Sequence, residues 1–137
     1  MNQKKPKKLN QILLGDCRDK LRDISDNSVD LVYLDPPFFT QRIHALNTRK
    51  GDESFNFEDK WEDIADYTSQ LTERLLQCHR VLKTTGSLFL HCDKTASHYI
   101  KIALDQIFGI ENFQSEIIWS YRRWSNAKKG LLNNHQS

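Results

Sequence analysis

Glycine is scarce in this 137-residue chain, and its five copies, Gly15, Gly51, Gly86, Gly109 and Gly130, are widely separated. No Gly-rich turn of the kind that lets a backbone approach a cofactor is therefore present. The three cysteines, Cys17, Cys78 and Cys92, are an odd number without C-x-x-C spacing. They exclude a disulfide framework and fit reduced, buried thiols of a cytoplasmic protein. No other His/Cys pair has ligand spacing, so no metal is expected. No apolar run approaches ~18 residues, which excludes a transmembrane helix and a membrane partner. The Lys-rich start, Lys4 to Lys8, is not followed by the apolar stretch of a signal peptide.

What is present is globular: hydrophobic residues make up 38% and charged residues 28%, enough apolar side chains to fill one core. The net charge of +2 hides an uneven distribution. Residues 1–8 carry four lysines and no acid, and residues 122–137 carry Arg122, Arg123, Lys128 and Lys129 and no acid. The middle is therefore 2 − 4 − 4 = −6. Three units are expected: a disordered basic arm over 1–8, a catalytic domain over 9–121, and a basic, aromatic tail over 122–137. In that tail and just before it, Trp119, Tyr121 and Trp124 interleave with arginines. Such a stretch can stack on bases and hold phosphates, so Tyr121, Arg122, Arg123, Trp124, Lys128 and Lys129 are candidate nucleic-acid contacts.

The apolar pattern alternates between strand and helix periods. Ile12-Leu13-Leu14 reads as a strand ending at Gly15-Asp16, with Asp16 capping a helical turn from Cys17 to about Ile24. Val29 to Leu34 is nearly all apolar and reads as a central parallel strand covered on both faces. Residues 36–60 are polar and long for a connection, so they read as a functional loop. Trp61 to about Leu82 turns helical, with Ile64, Tyr67, Leu71, Leu75 and Leu82 on one face, and Thr84-Thr85-Gly86 ends it. Leu88-Phe89-Leu90 is the next strand. A helix stripe then runs over Ile100, Ala103, Leu104, Ile107 and Phe108 and stops at Gly109. Glu116 to Trp119 is a fourth strand. This order predicts an α/β fold with a mostly parallel sheet.

In such sheets ligands bind beyond the carboxyl ends of the strands. Three acids are expected there: Asp16, Asp35 and Asp93, although Asp93 also suits a helix cap. Asp35-Pro36-Pro37-Phe38 closes the Val29–Leu34 strand. The two prolines bias the residues before them toward extended backbone and donate no N–H. Asp35 and the Pro36 carbonyl thus form a clamp that only accepts hydrogen bonds, and an exocyclic NH₂ of a base supplies two donors. Phe38 adds a flat ring on which an extruded base can stack. His91 and Cys92 are adjacent on a strand and point to opposite faces, which argues against a shared metal. His79 reads as packing or surface.

Several segments together resemble the amino-methylating DNA methyltransferases of restriction–modification systems, in the permuted class whose catalytic motif precedes the cofactor motif. They are Gly15-Asp16, Asn27 to Val32, Asp35-Pro36-Pro37-Phe38, Thr85 to Asp93, and Asn112 to Trp119. The resemblance implies a partial Rossmann-like fold, S-adenosylmethionine as methyl donor and DNA as substrate. It also implies catalytic and base-binding roles for Asp35, Pro36, Pro37 and Phe38. Asp16 would lie near the cofactor's adenine and Asp35 near its methionine part. Asp-Pro-Pro leans to adenine over cytosine. The family's Phe-x-Gly-x-Gly loop has no match, so the cofactor site is incomplete in this chain. A truncated or split enzyme, inactive alone, is expected, with a second polypeptide carrying the cofactor loop and the target-recognition region. The alternative is a non-catalytic nucleic-acid-binding or regulatory remnant.

Overall fold

The computed structural model describes residues 10–47, 54–121 and 135–136. In chain order the elements are α1 (Cys17–Lys20), β1 (Val29–Leu34), β2 (Arg42–Asn47), β3 (Ser54–Asp59), α2 (Ile64–Val81), β4 (Leu82–Leu90), α3 (Ser97–Phe108), β5 (Trp119–Ser120) and β6 (His135–Gln136). Short 3-10 turns, Leu21–Asp23 and Ile110–Asn112, follow α1 and α3.

β1 and β4 form a parallel pair in the register Leu31↔Ser87 to Leu34↔Leu90. Helix α2 lies between them in sequence, as a parallel connection requires. It begins at an Asp63 cap whose carboxylate accepts from the Asp66 N–H at 2.8 Å. Its inward stripe of Tyr67, Leu71, Leu75, Cys78 and Val81 is buried and meets Ile100 and Ala96 of the α3 region. Leu34, Leu88 and Leu90 pack onto this core from the sheet. The expected core residues Leu71 and Leu75 are therefore core, with Ile64 partly buried beside them. α3 stops at Gly109, whose φ of +89° lies where a side chain would be strained.

The structure corrects several expectations. Residues 36–60 are not one loop: β2 and β3 pair antiparallel from Arg42↔Asp59 to Asn47↔Ser54. The Phe55/Phe57 alternation belongs to this ladder. Gln41 closes its base. Its amide donates to the Trp61 carbonyl and accepts from the Trp61 N–H, both at 3.0 Å. Helix α2 passes directly into β4, so Thr84-Thr85-Gly86 is not a helix stop. It lies in an irregular stretch of strand, because four residues lie between Leu82 and Ser87 while only Asp30 lies between their partners Val29 and Leu31. Gly86 sits there because a Cβ would come within 2.8 Å of the Leu82 side chain and 3.0 Å of the Asp30 carbonyl.

Ile12-Leu13-Leu14 forms no strand. No described edge pairs with it, and all three side chains are exposed. The Glu116–Trp119 strand shrinks to β5, which pairs with β6 and not with β1 or β4. Ile117 and Ile118 find no ladder and stay exposed. β1 is not covered on both faces: Leu31 and Tyr33 are 57% and 67% exposed, while Val32 and Leu34 turn inward. Among the described residues it has one strand neighbour, β4. Cys17 is exposed, at the first position of a one-turn surface helix, whereas Cys78 and Cys92 are buried as expected. His79 packs edge-on against Phe108, with ring centroids 4.8 Å apart. No described helix is long and apolar enough to cross a membrane.

Candidate active site at the carboxyl ends of β1 and β4

The β1–β4 register brings the two motif-bearing strand ends together. Leu34 pairs with Leu90, and the His91 N–H donates to the Leu34 carbonyl at 2.9 Å. Side chains alternate between faces along each strand. Leu34, Leu90 and Cys92 point into the core, so Asp35 and His91 emerge on the opposite face together with Tyr33 and Phe89. The Asp35 carboxylate is 61% exposed, and its Oδ1 lies 3.0 Å from Nδ1 of His91. This is the only side-chain partner of Asp35 among the described residues. Phe38 turns back over the same imidazole, edge to face at 5.1 Å between centroids. No described group donates to the Pro36 carbonyl, so that acceptor is available.

Asp93, one turn further on, ties the motif down from the other side. Its Oδ1 accepts from the Phe39 N–H at 3.2 Å and its Oδ2 from the Thr95 N–H at 2.9 Å. Its carbonyl also accepts from Ala96 and Ser97 as the chain turns into α3. The expected helix cap is corrected: the residue at the N-cap of α3 is Ala96, and Asp93 instead closes the turn that precedes it. Phe39 then anchors in the core against Tyr67, with centroids 5.7 Å apart. Asp35-Pro36-Pro37-Phe38 is consequently a short bridge, gripped by His91 at its start and by Asp93 at its end.

Asp16 spends its contacts on α1 and α2. It caps α1 through the Arg18 N–H at 2.8 Å and meets the Arg74 guanidinium of α2 at 2.7 Å. The Arg18 N–H and the Arg74 charge hold its carboxyl below the usual value, against a smaller opposing effect of burial. Burial pushes the thiols of Cys78 and Cys92 up to about 11. A cavity of about 350 Å³ is lined by Leu13, Gly15, Cys17, Lys20, Val29 and Val32, among others. Its lining takes Val29 and Val32 from β1 and does not include Asp35, Phe38 or His91.

Tyr121 is partly buried just after β5. The candidates Arg122, Arg123, Trp124, Lys128 and Lys129, like the expected arm over 1–8, lie outside the described residues. No group of three or more His, Cys, Asp or Glu that could hold a metal occurs among the described residues. Sequence reasoning missed His91 and Asp93 as partners of the motif. The available signal was position: His91 directly follows Leu90, the partner of Leu34, and Asp93 comes two residues later.

Three relatives are similar to this chain in sequence. A type II methyltransferase of Haemophilus influenzae, M.HinfI, is 41% identical over 85 residues, covering 60% of this chain and 24% of the relative. The type II methyltransferase M.BglII of Bacillus subtilis is 41% identical over 136 residues, covering 94% and 34%. The DNA adenine methyltransferase YhdJ of Escherichia coli is 32% identical over 114 residues, covering 80% and 33%. The chain thus spans about a quarter to a third of the length of these curated relatives. A family described as DNA methylase matches residues 29–137, from the first residue of β1 through both motif-bearing strand ends, and the chain belongs to that family.

Proposed function

We propose that this chain supplies the amine-binding half of a DNA amino-methyltransferase, acting on the exocyclic NH₂ of an extruded adenine or cytosine. The observation that carries this reading is the acceptor pair at the end of β1. An exposed Asp35 carboxylate and a Pro36 carbonyl with no described donor stand beside the Phe38 ring. An aromatic amine is a poor nucleophile because its lone pair is delocalised into the ring. Two acceptors holding its hydrogens favour a pyramidal nitrogen and free the lone pair for in-line attack. Phe38 stacks on the base and offsets part of the few kcal/mol of unstacking. Pro37 contributes rigidity, since its ring fixes φ and restricts Pro36 before it. Positioning and fixed dipoles, without a covalent intermediate, carry the catalysis.

S-adenosylmethionine, the donor that the family implies, supplies an electrophilic methyl group when bound. The described residues fit it only in part. Asp35 offers an exposed carboxylate to its amino-bearing methionine end. Asp16 keeps lone pairs for an adenine amino group beyond its bonds to Arg18 and Arg74. No Gly-rich turn accompanies them, so the rest of the donor site comes from sequence outside these 137 residues, on the same or a second polypeptide. Tyr121, Arg122, Arg123, Trp124, Lys128 and Lys129 would hold the DNA strand by charge and stacking.

The test is transfer of a labelled methyl group from S-adenosylmethionine to DNA. It compares the 137-residue chain alone with the chain joined to a family segment carrying Phe-x-Gly-x-Gly. Transfer is expected only in the second case, with N6-methyladenine as the main product. DNA binding without transfer in the joined protein would instead assign a non-catalytic module. Transfer by the chain alone would overturn the division of the site.

A further inference from the structure

We propose that His91 is the positioning residue of the Asp35 site: its Nδ1–H fixes one carboxylate oxygen so that the other faces the amine, and its ring sets the angle of Phe38. This rests on the reading of Asp35 as an amine acceptor, but the geometry behind it does not.

Three observations point the same way. A carboxylate oxygen only accepts, so the 3.0 Å contact between Asp35 Oδ1 and His91 Nδ1 requires the proton on the histidine nitrogen. The hydrogen bond made by one ring nitrogen selects the tautomer of the other. In the neutral ring Nε2 is then an acceptor, and here it is buried with no hydrogen-bond partner. Nε2 is unpartnered in either tautomer, so the choice is made at Nδ1, where the alternative tautomer would set a bare lone pair against the Asp35 carboxylate. The backbone holds the ring in place, because the His91 N–H is bonded to the Leu34 carbonyl and Cys92 is locked in the core.

The consequence is a carboxylate whose rotation is restricted although it is largely exposed. A free Asp35 would sample several χ angles, each presenting a different oxygen to the base. With Oδ1 occupied, Oδ2 and the Pro36 carbonyl become the defined pair. The edge-to-face contact of Phe38 on the same ring couples the stacking surface to that pair. One imidazole thus aligns both parts of the base grip. His91 touches neither base nor cofactor in this scheme and moves no proton.

Two measurements test this. In the 137-residue chain labelled with ¹⁵N-histidine, long-range ¹H–¹⁵N spectra at pH 8 should show His91 as the Nδ1–H tautomer. They should show reversion toward Nε2–H in Asp35→Ala. A wild-type His91 in the Nε2–H form overturns the proposal whatever the variant does. In the joined protein that transfers methyl groups, His91→Asn places an amide N–H where Nδ1–H was, whereas His91→Gln places its amide near the Nε2 position. His91→Asn is expected to keep kcat within about fivefold. His91→Gln and His91→Phe should lose on the order of 10²-fold, the cost of misplacing a reacting group by about 1 Å. KM for S-adenosylmethionine should change little. Equal losses in all three variants, at unchanged melting temperature, overturn the role of Nδ1–H in positioning Asp35. Failure of the Asp35 reading appears separately, as full activity in Asp35→Ala with the tautomer result intact.

Discussion

The two faces of the β1–β4 pair have been put to different uses. On one, Leu34, Leu88 and Leu90 turn toward α2 and α3, and beneath them Leu75 is 0% and Tyr67 1% exposed. On the other, Leu31, Tyr33 and Phe89 remain open, and the row continues into Asp35 and His91. Neighbours in sequence are separated by this rule: Cys92 is part of the core, while His91 one residue earlier faces the site. A strand with period two can therefore carry stability and chemistry in alternate positions. Each face should be breakable without the other.

The sharpest break is chemical. Asp35→Ala in the joined protein should cost at least about 10²-fold in methyl transfer, the scale of removing a group that acts on the transition state. Its urea midpoint should stay near that of the parent. A loss within about tenfold would remove Asp35 from the mechanism. On the covered face, Leu75→Ala should cost about 2–5 kcal/mol in denaturant unfolding, through lost burial and the cavity left behind. A cost below about 1 kcal/mol would show that α2 repacks over β1 and β4 with ease.

Next comes alkaline pH. The Cys78 and Cys92 thiols, moved by burial from 9.0 to about 11, are uncharged in the folded chain at a pH where they ionise in the unfolded one. The raised values mean a contribution fully present below pH 9 and lost as pH rises toward 11. One unit corresponds to about 1.4 kcal/mol per thiol, so the loss across this range is of the same order as for Leu75→Ala. Thiol modification gives the matching readout: Cys17 should react in the folded chain, with Cys78 and Cys92 reacting after unfolding. Equal reactivity of all three would contradict a closed core. The smallest effect belongs to the open face, where Leu31→Ser or Tyr33→Ser should change stability by no more than about 0.5 kcal/mol. A cost several times larger would show that this face is covered.

The residues made one face legible and hid the other. β1, α2 and α3 follow from apolar runs and a helical stripe, because burial on the core side demands those side chains. The Asp35-Pro36-Pro37-Phe38 motif was readable for a different reason: the restricted backbone of two prolines announces itself locally. The β2–β3 hairpin was not readable as such. Its polar surroundings resemble a loop, and the Phe55/Phe57 alternation is only two residues long. Thr84-Thr85-Gly86 looked like a helix stop because the packing that requires Gly86, against the Asp30 carbonyl, is set by residues more than fifty positions away. Ile12 to Leu14 had the composition of a strand, but a strand also needs an edge. His91 was set aside by the argument that adjacent strand residues face opposite ways. The same alternation, applied across the parallel pair, places it beside Asp35.

The clamp between Gln41 and Trp61 has a consequence for how such a chain can change over evolutionary time. Two hydrogen bonds from one amide side chain bring the start and finish of the β2–β3 excursion to a single point. Trp61 is in turn held by its ring against Tyr67, with centroids 4.9 Å apart. What lies beyond that point can lengthen, shorten or be exchanged while Phe39 and Asp35 keep their coordinates. The hairpin behaves as a replaceable cassette on a fixed socket.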